Sequence, residues 1–388
     1  MEKKKSSTLL KEKELSAKQS ADYGKELLQN DKQFRIKAVS ILVSVGVVVF
    51  IISLLSGRYH CSKADILKAL GYGITELFIK AAELPGKLFG GGYDIKNPIA
   101  VSWSSDVDTI LWVVRMPRII AVIFIGGGLS LAGTSYQCVF RNPLVSEGIL
   151  GVSNGASLGA VIAIFFSLGP TMTSIFAFFG GILAVALTYS CSRVFRGNPT
   201  LLLVLAGTVV GSLLSAGNSI LKYLAPQDTK LPEITFWLMG SFAGISASKL
   251  TLLVPLIFSC SLGIYLMRWY LNLMSLGDDE AKALGVNTAR ARLVLIILST
   301  VISSAAVCVC GIVGWIGMVI PQITRLVVGP DARRLLPCTF AVGAIFLMLV
   351  DMLCRCLIAT EIPVGIITSL IGAPIFLILL KRVKEGWA

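Results

Sequence analysis

The sequence predicts an all-α membrane protein of about ten transmembrane helices, and three observations carry that prediction. Hydrophobic residues make up 55% of the 388 and charged residues only 15%, with a mean hydropathy of +0.80. Apolar runs of about 20 residues, the length that crosses a hydrocarbon core, recur along the chain. The short alternating segments of a membrane barrel are absent. A bilayer core holds no water to satisfy backbone groups, so helices are the remaining way across.

Taken in order, residues 1–35 read as a cytosolic polar tail. The tail is Lys-rich, too long for the n-region of a signal peptide, and followed by no small-residue cleavage pattern. It is either disordered or laid on the membrane as an amphipathic helix. Residues 36–388 form the transmembrane domain, with spans near 36–56, 118–139, 149–169, 173–194, 201–221, 250–271, 293–312, 315–329, 337–358 and 364–381. The run 234–245 is too brief to cross and reads as a partial helix entering from one side.

Ten crossings put both termini on one side. The segments sharing that side hold 23 of the 35 Lys and Arg residues, and eight of the other twelve lie in the long stretch 57–118. The positive-inside rule carries little weight over so long a stretch. The termini are therefore expected in the cytosol, with 57–107 extracytoplasmic and 275–292 cytosolic.

Catalysis inside the chain is not expected. The single histidine, His60, falls in an outer loop, and no G-x-x-x-x-G-K-[ST] phosphate loop occurs. No isolated carboxylate sits mid-span, where an ion-coupled carrier commonly needs one. Nine cysteines include the pairs Cys308/Cys310 and Cys354/Cys356. Residues two apart on a helix face opposite ways, so these read as small buried apolar residues and not as metal ligands. Energy for any driven process would enter from a partner.

One polar island interrupts the apolar second half, Gly277 to Arg292, reading GDDEAKALGVNTARAR. Gly277 or Asp278 opens a short helix whose first turn carries Asp279 and Glu280 against the helix dipole. Ala283 and Leu284 lead to Gly285, suited to a C-terminal stop, and Asn287 caps a second helix. The island is either a plug presented to a soluble partner or a plain solvated connector.

Arg115 and Arg118 flank Pro117 at the outer start of the second span. Cations at a helix N-terminus oppose the dipole, so they meet an external acidic partner or snorkel to lipid headgroups. Asp351 and Arg355, at i, i+4, read as an internal ion pair, with Arg355 available for docking as the alternative. Asn142-Pro143-Leu144 and Asn198-Pro199-Thr200 each read as the start of a helix on the cytosolic side, Asn capping and Pro beginning it. They serve as inner gates or as ordinary helix starts. Gly151, Gly155 and Gly159, Gly126 with Ser130, and Gly207 with Gly211 repeat at four, a spacing that lets helices approach closely in lipid.

Four blocks carry a resemblance: RMPRIIAVIFIGGGLSLAGTSYQCVFRNPLVSEGILGVSNGAS from Arg115, GDDEAKALG from Gly277, GWIGMVIPQITRLVVGP from Gly314 and EIPVGIITSLIGAP from Glu361. Over about 108–381 the chain resembles FecCD-type permeases, the membrane subunits of ABC importers for iron-siderophores, haem and vitamin B12. The resemblance implies a type II ABC importer permease, its domain spanning 36–388, in the cytoplasmic membrane of a bacterium or archaeon. It implies two ABC ATPase subunits that bind ATP and magnesium, so that this chain holds no cofactor of its own. It also implies an extracytoplasmic substrate-binding protein and a second permease copy or close paralogue; membrane lipid surrounds the complex, and nothing points to nucleic acid.

By the same resemblance, Gly277, Asp278, Asp279, Glu280, Ala283, Leu284, Gly285 and Asn287 couple to the ATPase, and Arg115, Arg118 and Arg355 dock the binding protein. Asn142, Pro143, Leu144, Asn198, Pro199 and Thr200 form the cytosolic gate. The fifth and tenth spans and the partial helix near Trp237–Ser241 flank the path. The cargo implied first is an iron(III)-siderophore, with haem or a corrinoid as alternatives; an ion-coupled secondary carrier is the reading from another class. Many relatives carry His where this chain has Gln322, so no histidine role carries over.

Overall fold

In the computed structural model the described residues are 37–57, 59, 61–88, 97–195 and 197–386. The tail expected over 1–35 and the loop histidine His60 lie outside them. Contacts divide the chain after Val45. Of the first unit only residues 37–45 are described, and they are the opening turns of helix α1 (Lys37–Leu55).

The second unit continues with α2 (Lys63–Leu88), α3 (Ser105–Phe140), α4 (Val152–Phe165), α5 (Pro170–Val194), α6 (Pro199–Leu224) and α7 (Lys230–Met239). There follow α8 (Ala247–Leu266), α9 (Arg268–Leu276), α10 (Asp278–Ala283), α11 (Thr288–Cys310), α12 (Ile316–Val328), α13 (Ala332–Cys356) and α14 (Val364–Gly386). No strand occurs among the described residues. Helices α1, α3, α5, α6, α8, α11 and α13 are long and apolar enough to cross a membrane; α4, α12 and the α14 stretch Val364–Leu379 are shorter apolar helices. Together these ten occupy the positions of the ten expected spans. At about 1.5 Å per residue, the 14 residues of α4 reach only some 21 Å, less than a 30 Å hydrocarbon core.

Helix α3 sits at the centre, with α8, α11, α12 and α13 packed around it. From Ile125 to Phe140 every residue of α3 is buried, as suits a helix apolar on all sides. Its start differs from expectation. The helix begins at Ser105, not at 118, and residues Thr109–Arg115 form a π-helical stretch directly before Pro117. The segment expected as an outer loop also holds α2, whose Gly73 lies under the Trp112 ring.

Small residues set the closest contacts. A Cβ at Gly155 would overlap the Gly180 carbonyl oxygen, and one at Gly159 would overlap that of Phe176, so α4 and α5 touch backbone to backbone. Gly159→Ala is expected to cost about 1–3 kcal/mol by overpacking and to lower the melting temperature in detergent. Gly244→Ala, with nothing within 4 Å of the added methyl, is expected to leave it unchanged.

Candidate functional site: an end cavity and the island beside it

The island folds as two short helices around a glycine. Gly277 has a φ of +148°, where a side chain is strained, and α10 follows at once. Gly285 (φ +82°) ends it. The Val286 amide donates to the Ala281 carbonyl (3.0 Å) and the Gly285 amide to that of Lys282 (2.9 Å), the paired bonds of a glycine-closed helix end. Asn287 Oδ1 accepts from the Arg290 amide (3.0 Å) and caps α11. Ala281 and Val286 pack with Leu273 of α9 in a small apolar cluster.

Three neighbouring acids in the island do different work. Both Asp278 oxygens accept from Arg292 Nη2 at 2.8 and 2.7 Å, tying the start of α10 to α11. Asp279 is 96% exposed at its side chain and, among the described residues, pairs with Lys282 at 3.4 Å. Glu280, Ala283, Leu284 and Asn287 are exposed as well. The island thus presents a charged outer face on a pinned base.

Beside the island opens a cavity of about 760 Å³. Gln137, Arg141 and Asn142 from the end of α3, Asn198 and Thr200 from the start of α6, Ser275 of α9 and Arg325 of α12 give its polar lining, and no carboxylate contributes among the described residues. Both expected gate turns therefore meet at one space, although Pro143, Leu144 and Pro199 are not part of its wall. The Asn198 turn forms as expected: its Oδ1 accepts from the amides of Thr200 (3.0 Å) and Leu201 (3.5 Å), and Pro199 begins α6.

The Asn142 turn does not. No helix starts at Pro143; Asn142 Oδ1 accepts from the Leu144 amide (2.9 Å), closing a tight turn. The cause lies one residue earlier. Arg141 ends α3 in the left-handed region (φ 50°), and the Asn142 amide donates back to the Gln137 carbonyl (3.2 Å). Asn142 is thereby spent on closing α3 and has no helix to begin.

The three arginines expected on the outer side lie together at the opposite end of α3, and they are not free cations. Arg115, Arg118 and Arg355 are 4%, 7% and 5% exposed. Arg118 binds Asp351 (2.8 Å) and Glu361 (2.6 Å). Arg115 donates to the carbonyls of Leu54 (2.5 Å) and Tyr59 (3.2 Å). Arg355 donates to the Ser53 and Ser56 carbonyls and pairs with Asp351, the partner expected at i, i+4. Burial replaces the exposed or snorkelling side chains expected of Arg115 and Arg118, the ion pair expected between Asp351 and Arg355 forms, and the network fastens the C-terminal end of α1 to α3 and α13.

Sequence reasoning named Gln322 only as a departure from a histidine, and it did not single out Gln137 or Glu147. Gln137 and Gln322 are joined by a hydrogen bond between α3 and α12 (2.9 Å). Glu147 begins a 3₁₀ turn (Glu147–Leu150) between α3 and α4, and its Oε2 is buried against Gly317 with no hydrogen-bond partner. The only local signal was a polar residue inside an otherwise apolar neighbourhood.

Burial pushes the Glu147 carboxyl up to about 7, against the opposing effect of its backbone hydrogen bond. Its ordinary value is 4.5, so between about pH 4.5 and 7 the folded chain keeps a proton that the unfolded chain releases. Stability therefore falls as pH rises through that window, and the whole penalty, about 3 kcal/mol, persists above it. Glu147→Gln is expected to match the parent near pH 4 and to be about 2–3 kcal/mol more stable at pH 8 by thermal melts.

The FecCD transport family matches residues 45–382. The chain belongs to that family. It is 39% identical over 327 residues to the molybdate import system permease protein MolB of Haemophilus influenzae, covering 81% of this chain and 96% of that one. To the hemin transport system permease protein HmuU of Yersinia pestis it is 39% identical over 295 residues, 73% of this chain and 87% of the relative. A solved inward-facing metal-chelate type ABC transporter shares the fold at a TM-score of 0.75 and 34% identity, covering 89% of this chain and 99% of its counterpart. A FecCD chain is a multi-pass membrane permease subunit of an ABC importer. Such a subunit is not itself catalytic, and its family works with ATPase and permease partners.

Proposed function

We propose that this FecCD permease passes an anionic metal-bearing cargo into the cytosol through the end cavity, with the island at Gly277–Asn287 docked on a partner ATPase. The observation that carries the reading is the meeting of the Asn142 and Asn198 turns at one cavity, directly beside the island. A Cβ at Gly277 would lie 3.5 Å from Arg141 Nη1, so the start of the island borders the end of α3. ATP binding on the partner would bias the turns between a closed and an open arrangement, as a population shift between two states requires. On this reading the island end faces the cytosol and the arginine network faces outward. The outward docking of a binding protein rests on the exposed rim around that network, because the three arginines themselves are buried.

An iron(III)-siderophore is the first cargo, and haem, named in the Yersinia relative, is a chelate of the same kind. Molybdate is the second reading, favoured by the Haemophilus relative of which 96% is covered. A lining of Arg141 and Arg325 with amide and hydroxyl groups, and no carboxylate among the described residues, suits cargo that carries negative charge, as molybdate and the carboxylates of haem do. Proteoliposomes holding the permease, its ATPase and each labelled cargo with its binding protein test the reading. ATP-driven uptake of one of these cargoes is expected. Uptake driven by an ion gradient with no ATPase present would instead establish a secondary carrier.

A further inference from the structure

We propose that Gln322 and Gln137 form a latch that holds the Asn142–Leu144 turn against α12, and that cargo leaves only when this latch opens. The inference rests on the functional reading above, because it gives that turn its role as a gate.

Its geometry begins at Pro321. A proline inside a helix has no amide hydrogen to give, so the carbonyl four residues earlier, that of Gly317, loses its helical partner. Gln137 of α3 fills the gap: its Nε2 donates to the carbonyls of Met318 (3.2 Å) and Gly317 (3.5 Å). The Gln137 oxygen then accepts from Gln322 Nε2 (2.9 Å). The same Gln322 nitrogen donates to the Pro143 carbonyl in the turn, at 3.1 Å. Gln137 and Gln322 are 2% and 6% exposed.

A pair serving only to repair the helix at Pro321 would need Gln137 alone. Gln322 adds nothing to that repair; its second bond goes to the turn. Two regions far apart in the chain, α3 with the turn that follows it and α12, are joined through two neutral amides, and neutral bonds are the weaker kind. They hold the turn, yet yield to a partner that drives it. Pro321 interrupts the hydrogen-bond ladder of α12 at the same level. With the turn released, Leu144, already 46% exposed, becomes more open to the cytosol.

The test uses the full permease–ATPase complex in proteoliposomes, with Cys61, Cys191 and Cys356 replaced by serine and Leu144→Cys as reporter. Labelling by a membrane-impermeant maleimide is followed without ATP. Gln322→Met keeps the side-chain length and removes both donations. It is expected to raise the labelling rate roughly tenfold, to raise ATP-independent leak of loaded cargo, and to lower the melting temperature by a few degrees while keeping the thermal transition. Gln322→His retains an N–H donor; it covers the case in which the methionine variant fails to fold, and is expected to show a smaller rise. No rise in labelling in whichever variant folds overturns the latch. So does a rise that appears only together with loss of the thermal transition. Absence of ATP-driven uptake in the unaltered complex would instead count against the functional reading.

Discussion

Replacing Asp279 and Glu280 together with arginine is expected to lower ATP-driven uptake at least a hundredfold while leaving the thermal transition of the permease in place. Both side chains are exposed, and the one ion pair of Asp279 is a 3.4 Å contact with a residue on its own helix. Their local worth is the usual dipole contribution at a helix start, about 0.3–1 kcal/mol each, too little to unfold a bundle. Reversed charge across a docking surface costs several kcal/mol, and about 3 kcal/mol already removes a hundredfold in affinity. Co-purification of the ATPase with the variant checks it; undiminished co-purification and uptake would leave the island as a connector. Asp278→Ala should behave differently. It strips buried Arg292 of both carboxylate contacts, so uptake and melting temperature should fall together.

Arg118→Ala is expected to destabilise the opposite end of the bundle by about 3–5 kcal/mol, the usual cost of removing one partner from a buried charge network. Asp351 is 1% exposed and would keep only its contact with Arg355, at 3.3 Å. The loss should appear as a lower melting temperature in detergent with no binding protein present. Had these arginines been free docking cations, the double reversal Arg115→Glu with Arg118→Glu would weaken docking in a salt-dependent way and spare the fold. With both buried, the substitution at 118 sets a carboxylate beside Asp351 and Glu361, the one at 115 sets a carboxylate against the Leu54 and Tyr59 carbonyls, and the pair is expected to prevent folding. A variant that melts like the parent and loses only binding-protein affinity would restore the docking interpretation.

These two regions also show what a sequence makes legible. Everything that shapes the island is local: glycine at both turns, acids at the first helix start, asparagine three residues before the amide it caps. Its form could be read residue by residue. The arginine network depends on partners 233 and 243 residues further along the chain, so nothing near Arg118 announces that it is buried. The same holds for Gln137 and Gln322, which lie 185 apart. The ten apolar helices were visible because length and hydropathy decide them. Their ends were not. Pro117 reads as a helix start, yet the π-helical stretch before it lets α3 run on to Ser105. Glycines at 71 and 73 weaken the pattern of α2, although Gly73 is what lets the Trp112 ring lie against that helix. At Arg141 a left-handed conformation on a residue other than glycine turned an expected helix cap into a tight turn.

The most direct test of the account is the distance between spin labels at positions 144 and 201 of the chain, the second in the wall of the same cavity, within the complete transporter, with and without ATP. Position 144 follows the Pro143 carbonyl held by Gln322, in the turn that meets the Asn198 turn at the cavity. If the island carries the motion of the ATPase to this turn, ATP shifts the distance distribution between a closed and an open population, and Asp279→Arg with Glu280→Arg abolishes the shift. A single distribution, unchanged by nucleotide while uptake proceeds, would contradict the account.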